Sequence, residues 1–389
     1  MRLWCIALCV TLLAVPARAG AEAVTYQANA VHDGNARTAL KLPLTRAWTV
    51  SVNGVPSYPV IAEGKVFVTV ATRDFSSPPR TLLLALSATT GRELWRADLG
   101  RVWKASPAYD AGRVFVGADV TGDEGGGLAA YSAADGALLW RTSIGSSSGD
   151  PPVAFDGAVY GLMGSTWIAA HRQSDGAQLW TFTTGNGTNG SFAVTPDAVY
   201  AALPCEHTVK LRRGDGGLLW QSPHPCHGGG GSTAVLSGGR VFTREETGTT
   251  PGEIYDAASG ARQPAWRTDY PPAFSGSLGV FSDASRRGEH FLFGHRLVAR
   301  SVPSGKVRWR FGGDGYLDTA PLIVGDVAYV GSGSGRVYGV SLTSGRRVWR
   351  TSLGAPVHGS GEVTGLIGGL AAGDGVLVVP AFGRVAAFR

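Results

Sequence analysis

Short runs in which apolar and polar residues alternate recur along the whole chain, separated by turns rich in Gly, Asp and Ser. The run "RVFVGADV" (113–120) puts every second residue on one face, the period of a half-buried strand. "GLAAYSA" (127–133) is a second such strand. After the turn at Asp135-Gly136 comes a third, "ALLWRTS" (137–143). Asp-Gly between two strands marks a tight hairpin, because both residues tolerate positive φ. With "ASPAYDA" (105–111) ahead of them, these segments make one four-stranded unit. The unit returns as "LSATTGRELW", "YSAADGALLW", "HRQSDGAQLW", "LRRGDGGLLW", "YDAASGARQPAW", "SVPSGKVRW" and "SLTSGRRVW". Its Trp residues are Trp95, Trp140, Trp180, Trp220, Trp266, Trp309 and Trp349, and Trp48 stands one period earlier. Neighbouring members lie 40 to 47 residues apart. A strand-only unit of that period predicts a propeller blade.

A single four-stranded sheet cannot bury both faces, so stacked sheets must cover one another. A Trp on the outer strand can span the gap between blades, with its N–H on neighbouring backbone. These eight Trp are therefore read as blade-docking residues. Trp103 and Trp167 fall outside the register. The last unit, "GVLVVPAFGRVAAFR", lacks an outer strand, and "RAWTVSV" (46–52) supplies one. The expected fold is all-β: an eight-bladed propeller of four-stranded antiparallel blades over 46–389, closed by pairing of the first strand beside Val385–Phe388. A segment 20–45 leads into it. The sixth unit carries a stretched link, "SDASRRGEH".

Composition changes this picture at the ends and at two cysteines. Arg2, the apolar run "LWCIALCVTLLAV" and the small-x-small "ARA" (17–19) predict a cleaved leader over 1–19, hence a secreted or periplasmic protein. Cys9 in "IALC" has only a faint match to a lipidation signal, since most of the apolar run follows it. The formal charge is +6. Without Arg2 and Arg18 it falls by two, and the remaining cations are scattered rather than striped, which argues against nucleic acid as partner. No later stretch is long enough for a transmembrane helix. A monomer is expected, with an unknown protein or small molecule as partner. Cys205 and Cys226 remain after leader removal, and an even pair in an exported chain reads as a disulfide. It would close a loop worth roughly 3 kcal/mol by chain entropy. The alternative is a metal site of Cys205, His207, His224, Cys226 and His227, which needs reduced thiols.

In this topology the links after the second and fourth strands leave by one face. The residues that begin each inner strand converge there: Ser57-Tyr58, Trp103-Lys104, Asp150, Asn189, Ser232, Ser275, Asp318 and His358. Lys104, Asp150, Asn189, Asp318 and His358 form the candidate binding ring, against the plainer reading of a solvated polar mouth. "GGDG" (312–315) and "GSGSG" (331–335) open no helix, so they are turns rather than phosphate loops. "DVTGDEGGG" (119–127) lacks a full calcium-loop pattern and reads as a hairpin. His32, His171, His290 and His295 are isolated and read as structural or surface residues. No catalytic, cofactor or metal residue is assigned.

The pattern A-hydrophobic-x-A-x-x-G-x-x-x-W, preceded by S-P-x-x-x-x-G-x-V-F/Y-V, resembles the PQQ-like β-propeller repeat over about residues 26–389. "YQANAVHDG" resembles the opening of small secreted members. The resemblance implies the fold. It does not imply one function, because the family includes quinoprotein dehydrogenases and BamB-type outer-membrane assembly lipoproteins. The dehydrogenases are longer, with adjacent cysteines over the quinone and a Glu/Asn/Asp set holding Ca²⁺. Cys205 and Cys226 are not adjacent, and no position of that set can be carried over. The expectation is an exported, non-enzymatic scaffold or binding protein without pyrroloquinoline quinone. The alternatives are a quinone-dependent dehydrogenase or a carbohydrate-active propeller.

Overall fold

The computed structural model describes residues 23–73, 78–119, 127–142, 149–163, 166–185, 189–203, 208–222, 232–244, 252–266, 268–284, 295–357 and 367–389. The leader, Cys205, Cys226, His207, His224, His227, His290 and His358 lie outside these residues. Among the described residues no helix is long and apolar enough to cross a membrane.

Eight sheets of antiparallel strands follow one another along the chain, the seventh joined at its inner edge by Asn35–Ala36 of the lead-in, parallel to Leu322–Val324. The second blade shows the plan: Lys104–Asp110, Arg113–Asp119, Gly127–Ser132 and Leu138–Arg141 pair in that order from the axis outward. Seven blades are continuous in sequence. The eighth takes its inner strands from Ala371–Gly373, Val376–Ala381 and Arg384–Phe388 and its outer strand from Arg46–Ser51. Trp48 lies opposite Ala387 and Val50 opposite Val385, so the two ends of the chain close the ring as the pattern predicts.

The repeated Trp and the repeated turn Gly turn out to be two halves of one contact. Trp95 of the first blade donates its Nε1–H to Ala133 O of the second at 3.2 Å. Trp140 does the same to Gln173 O at 2.9 Å and Trp180 to Arg213 O at 2.8 Å. The Gly of the next blade's turn lies flat on each ring. Gly136 has φ +77°, and a Cβ there would stand 2.5 Å from the Trp95 ring. Only Gly meets both demands, the left-handed backbone and the close approach. The same pairing holds for Gly176 on Trp140 and Gly216 on Trp180. At the ring's seam Trp349 has no such turn to meet, and bonds Leu44 O at 2.9 Å instead.

The lead-in segment does not lie outside the ring. Residues 23–36 run round the inside of it and touch the blades in sequence order. Ile61 N–H donates to Ala23 O (2.8 Å), Tyr109 N–H to Val24 O (2.7 Å), Val194 N–H to Ala30 O (2.7 Å), Leu236 N–H to Val31 O (2.9 Å), Phe274 N–H to Asp33 O (2.8 Å) and Ile323 N–H to Gly34 O (2.7 Å). By strand register these six are the same position of six inner strands. The third blade is reached through Thr25 Oγ1, which donates to Pro152 O at 2.9 Å, and the eighth through Gly375 N–H on Thr38 Oγ1 at 3.1 Å. The inner strand of a blade has an open edge toward the axis, and buried edge amides must find acceptors. This segment supplies them.

Candidate functional site

The residues that begin the inner strands do gather at one end of the axis, above residues 23–36. Lys104 of the second blade and Asp150 of the third form an ion pair there, with side chains only 8% and 2% exposed. Asp318 is held apart from them: Tyr270 donates its hydroxyl to Asp318 Oδ1 at 2.7 Å. Asn189 is half-buried and stands between, in the fourth blade.

Register explains why a single ring of charges does not form. The position occupied by Asp150 corresponds to Ser57, Ala105, Gly190, Ser232, Tyr270, Thr319 and Gly368 in the other blades. Lys104, Asn189 and Asp318 precede that level by one residue, and a one-residue offset in a strand turns the side chain to the other face. Ser275 is the last residue of its inner strand, Ala273–Ser275, and so lies at the opposite end. The residue at the Asp150 level in that blade is Tyr270. The signal was in the sequence, since "DPPVAF" and "YPPAFS" align residue for residue.

Most polar groups of this mouth are engaged from blade to blade. Tyr58 donates its hydroxyl to Pro107 O, and Thr69 Oγ1 donates to Ala105 O at 2.7 Å. Ser191 Oγ donates to Pro151 O at 2.7 Å, and Arg244 Nη1 donates to Asp269 O at 2.6 Å. The floor is aromatic and polar together. The Tyr26 and Tyr58 rings lie 5.2 Å apart. His32 is wholly buried, with Nδ1 2.6 Å from Tyr26 O and Nε2 3.0 Å from Ser191 Oγ. Burial pushes the Tyr58 hydroxyl well above its ordinary pKa. Tyr270 is raised likewise, by burial first and the Asp318 carboxylate second. Both are therefore neutral hydrogen-bond donors over the ordinary pH range. Among the described residues no group of three or more His, Cys, Asp or Glu could hold a metal ion.

A family described as "Outer membrane protein assembly factor BamB" matches residues 79–279 and again 205–387, the two overlapping as a repeated unit allows. The chain belongs to this PQQ-like propeller family. The BamB-type ring is also similar to solved structures, all at identities that speak only for the fold. BamB from Moraxella catarrhalis matches with a TM-score of 0.65 at 16% identity, over 89% of this chain and 97% of that one. A quinohemoprotein alcohol dehydrogenase from Pseudomonas putida HK5 matches with a TM-score of 0.71 at 13% identity, over 95% of this chain and 80% of that one. A europium-containing methanol dehydrogenase gives 0.69 at 13%, over 92% and 89%. No curated protein matches the sequence.

Proposed function

We infer that this BamB-type propeller is an exported, non-enzymatic scaffold that binds a protein partner in the cell envelope or outside the cell. The observation that carries the reading is the state of the axis. In this ring the chain's own residues 23–36 occupy the inside and bond to the first seven blades in turn, and Thr38 just after them bonds to the eighth. The charged and hydroxyl groups above them are spent on holding blades together, as the Lys104–Asp150 pair is. A quinone site of the dehydrogenase kind needs a hard-oxygen set for Ca²⁺. The described residues at the mouth do not fit that requirement, because its carboxylates are dispersed between blades. The family's description, as an outer membrane assembly factor, supports a protein partner and an envelope location. The predicted leader supports export, and a monomeric ring with a Cys205–Cys226 disulfide completes the reading.

The experiment is reconstitution. The purified protein is incubated with pyrroloquinoline quinone and Ca²⁺, then offered alcohols and aldoses with a dye acceptor. No retained quinone and no dye reduction are expected. Stoichiometric quinone binding with turnover would replace this reading by the dehydrogenase one.

A further inference from the structure

The first and second blades enclose a recess of about 260 Å³ that the repeat does not call for. Its origin is one cross-strand pair. Three residues along from the Ala that pairs with the Trp, four other blades pair larger side chains on the face toward the preceding blade. That pair is Val70 with Leu82 in the first blade, Met163 with Trp167 in the third, Asp283 with Arg296 in the sixth and Ala381 with Arg384 in the eighth. In the second blade it is Ala118 with Gly127. Gly127 cannot be enlarged in place, because a Cβ there would stand 2.2 Å from Thr142 O of the outer strand.

What lines the resulting space is chemically specific. Its inner wall is apolar, from Leu99, Val116 and Ala129. Tyr131 is only 3% exposed and also walls the recess, yet its hydroxyl makes no hydrogen bond among the described residues. A hydroxyl on the wall of a recess with no protein partner is a group that a ligand can reach and bond. Arg141 stands exposed at the rim and has no ion pair or hydrogen bond among the described residues. The one carboxylate in the lining, Asp98, is already paired with Arg80, so it does not compete for Arg141.

We propose that this inter-blade recess is a binding site for a carboxylate carried on a compact apolar body, such as the apolar C-terminal residue of a polypeptide or a free aryl or alkyl acid. The apolar body fills the space left by Ala118 and Gly127. The carboxylate meets the Arg141 guanidinium, and a polar atom of the ligand meets the Tyr131 hydroxyl. A charge-assisted bond of this kind is stronger than its neutral counterpart. The site is separate from the axis, and its test does not depend on the quinone experiment.

Calorimetric titration uses N-acetyl-glycyl-L-phenylalanine, its C-terminal amide, and phenylacetate. The acid is expected to bind saturably at one site, and the amide about tenfold more weakly, the worth of one charge-assisted bond. Arg141→Gln should weaken the acid by the same factor and leave the amide unchanged. Ala118→Met, which installs the residue the third blade carries at that register, should abolish binding of both. Thermal melts of the two variants show whether the fold is kept. If Ala118→Met melts early, the Arg141→Gln comparison stands alone as the test. Tighter binding of the dipeptide than of phenylacetate identifies a polypeptide terminus as the source, and the reverse identifies a free acid. No saturable binding of either acid, equal binding of acid and amide, or binding that survives in a folded Ala118→Met protein would overturn the proposal.

Discussion

The rim and the axis of this ring are built on opposite principles. At the rim one contact is repeated: a Trp N–H reaches the next blade's backbone, and that blade's turn Gly lies on the Trp ring, as with Trp180, Arg213 and Gly216. At the axis three blades share a contact within the blade, the Ser57, Ser232 and Thr319 hydroxyls accepting from the Thr69, Arg244 and Gly331 N–H groups, but the side-chain contacts from blade to blade differ. Lys104 meets Asp150, Ser191 meets Pro151 and Tyr270 meets Asp318, each pair different from the last. The cause is geometric. Outer strands are far apart, so each interface is separate and can use the same solution. Inner strands converge on one small space, where eight identical residues could not all fit or all be satisfied. One unrepeated segment, 23–36, completes them instead.

The comparison can be broken at the axis first. Asp150→Ala leaves the Lys104 ammonium buried without its carboxylate, and losing one partner of a buried pair costs about 4 kcal/mol. The double variant Asp150→Leu with Lys104→Met should recover most of that loss in a denaturant titration. If the single and double variants are equally unstable, the pair is not the source of the cost. At the rim, Trp180→Ala should cost about 3 kcal/mol, and Trp140→Ala nearly the same, because the two contacts are copies. Gly216→Ala should cost about 2 kcal/mol from its left-handed backbone and the 2.6 Å approach to Trp180. Unequal losses for the two Trp variants would show that the rim contacts are not interchangeable.

The smallest effect concerns His171, which is 1% exposed at the interface of the second and third blades. Its Nδ1 lies 3.0 Å from Gly176 O, while Nε2 is buried with no partner. Burial pushes its pKa below the ordinary histidine value. The unfolded chain therefore binds the proton more readily than the folded one, and the stability that neutral His171 contributes is full above about pH 6.5 and lost as pH falls from there toward the lowered value. Melting profiles should show a smaller drop between pH 7 and pH 5 for His171→Gln than for the parent protein. Identical slopes would mean that His171 is not protonated on unfolding.

The difference between rim and axis also decided what the sequence could tell. The Trp spacing, the turn Gly and the missing outer strand of the last unit were legible because each depends on local alternation and on a repeated contact. Trp48 opposite Ala387 follows from that alone. The mouth was not legible in the same way. Distance from the strand start does not fix the side-chain face, and Lys104, Asn189 and Asp318 stand one residue before the level of Asp150. The recess could have been found, since Ala118 and Gly127 stand where the third blade has Met163 and Trp167. The course of 23–36 could not, because nothing in "YQANAVHDG" states which amides it will meet. Its bends at Gln27, Ala28 and His32, with φ of 55°, 74° and 56°, are imposed by the ring around it.

That segment carries the account, and hydrogen exchange read by mass spectrometry tests it most directly. Amides of residues 23–36 should exchange as slowly as those of the inner strands Lys104–Asp110 and Leu322–Val324, because the segment and the strands open only together. Exchange of 23–36 within seconds, at the rate of an unstructured lead-in while those strands stay protected, would contradict a ring whose axis is filled by its own chain.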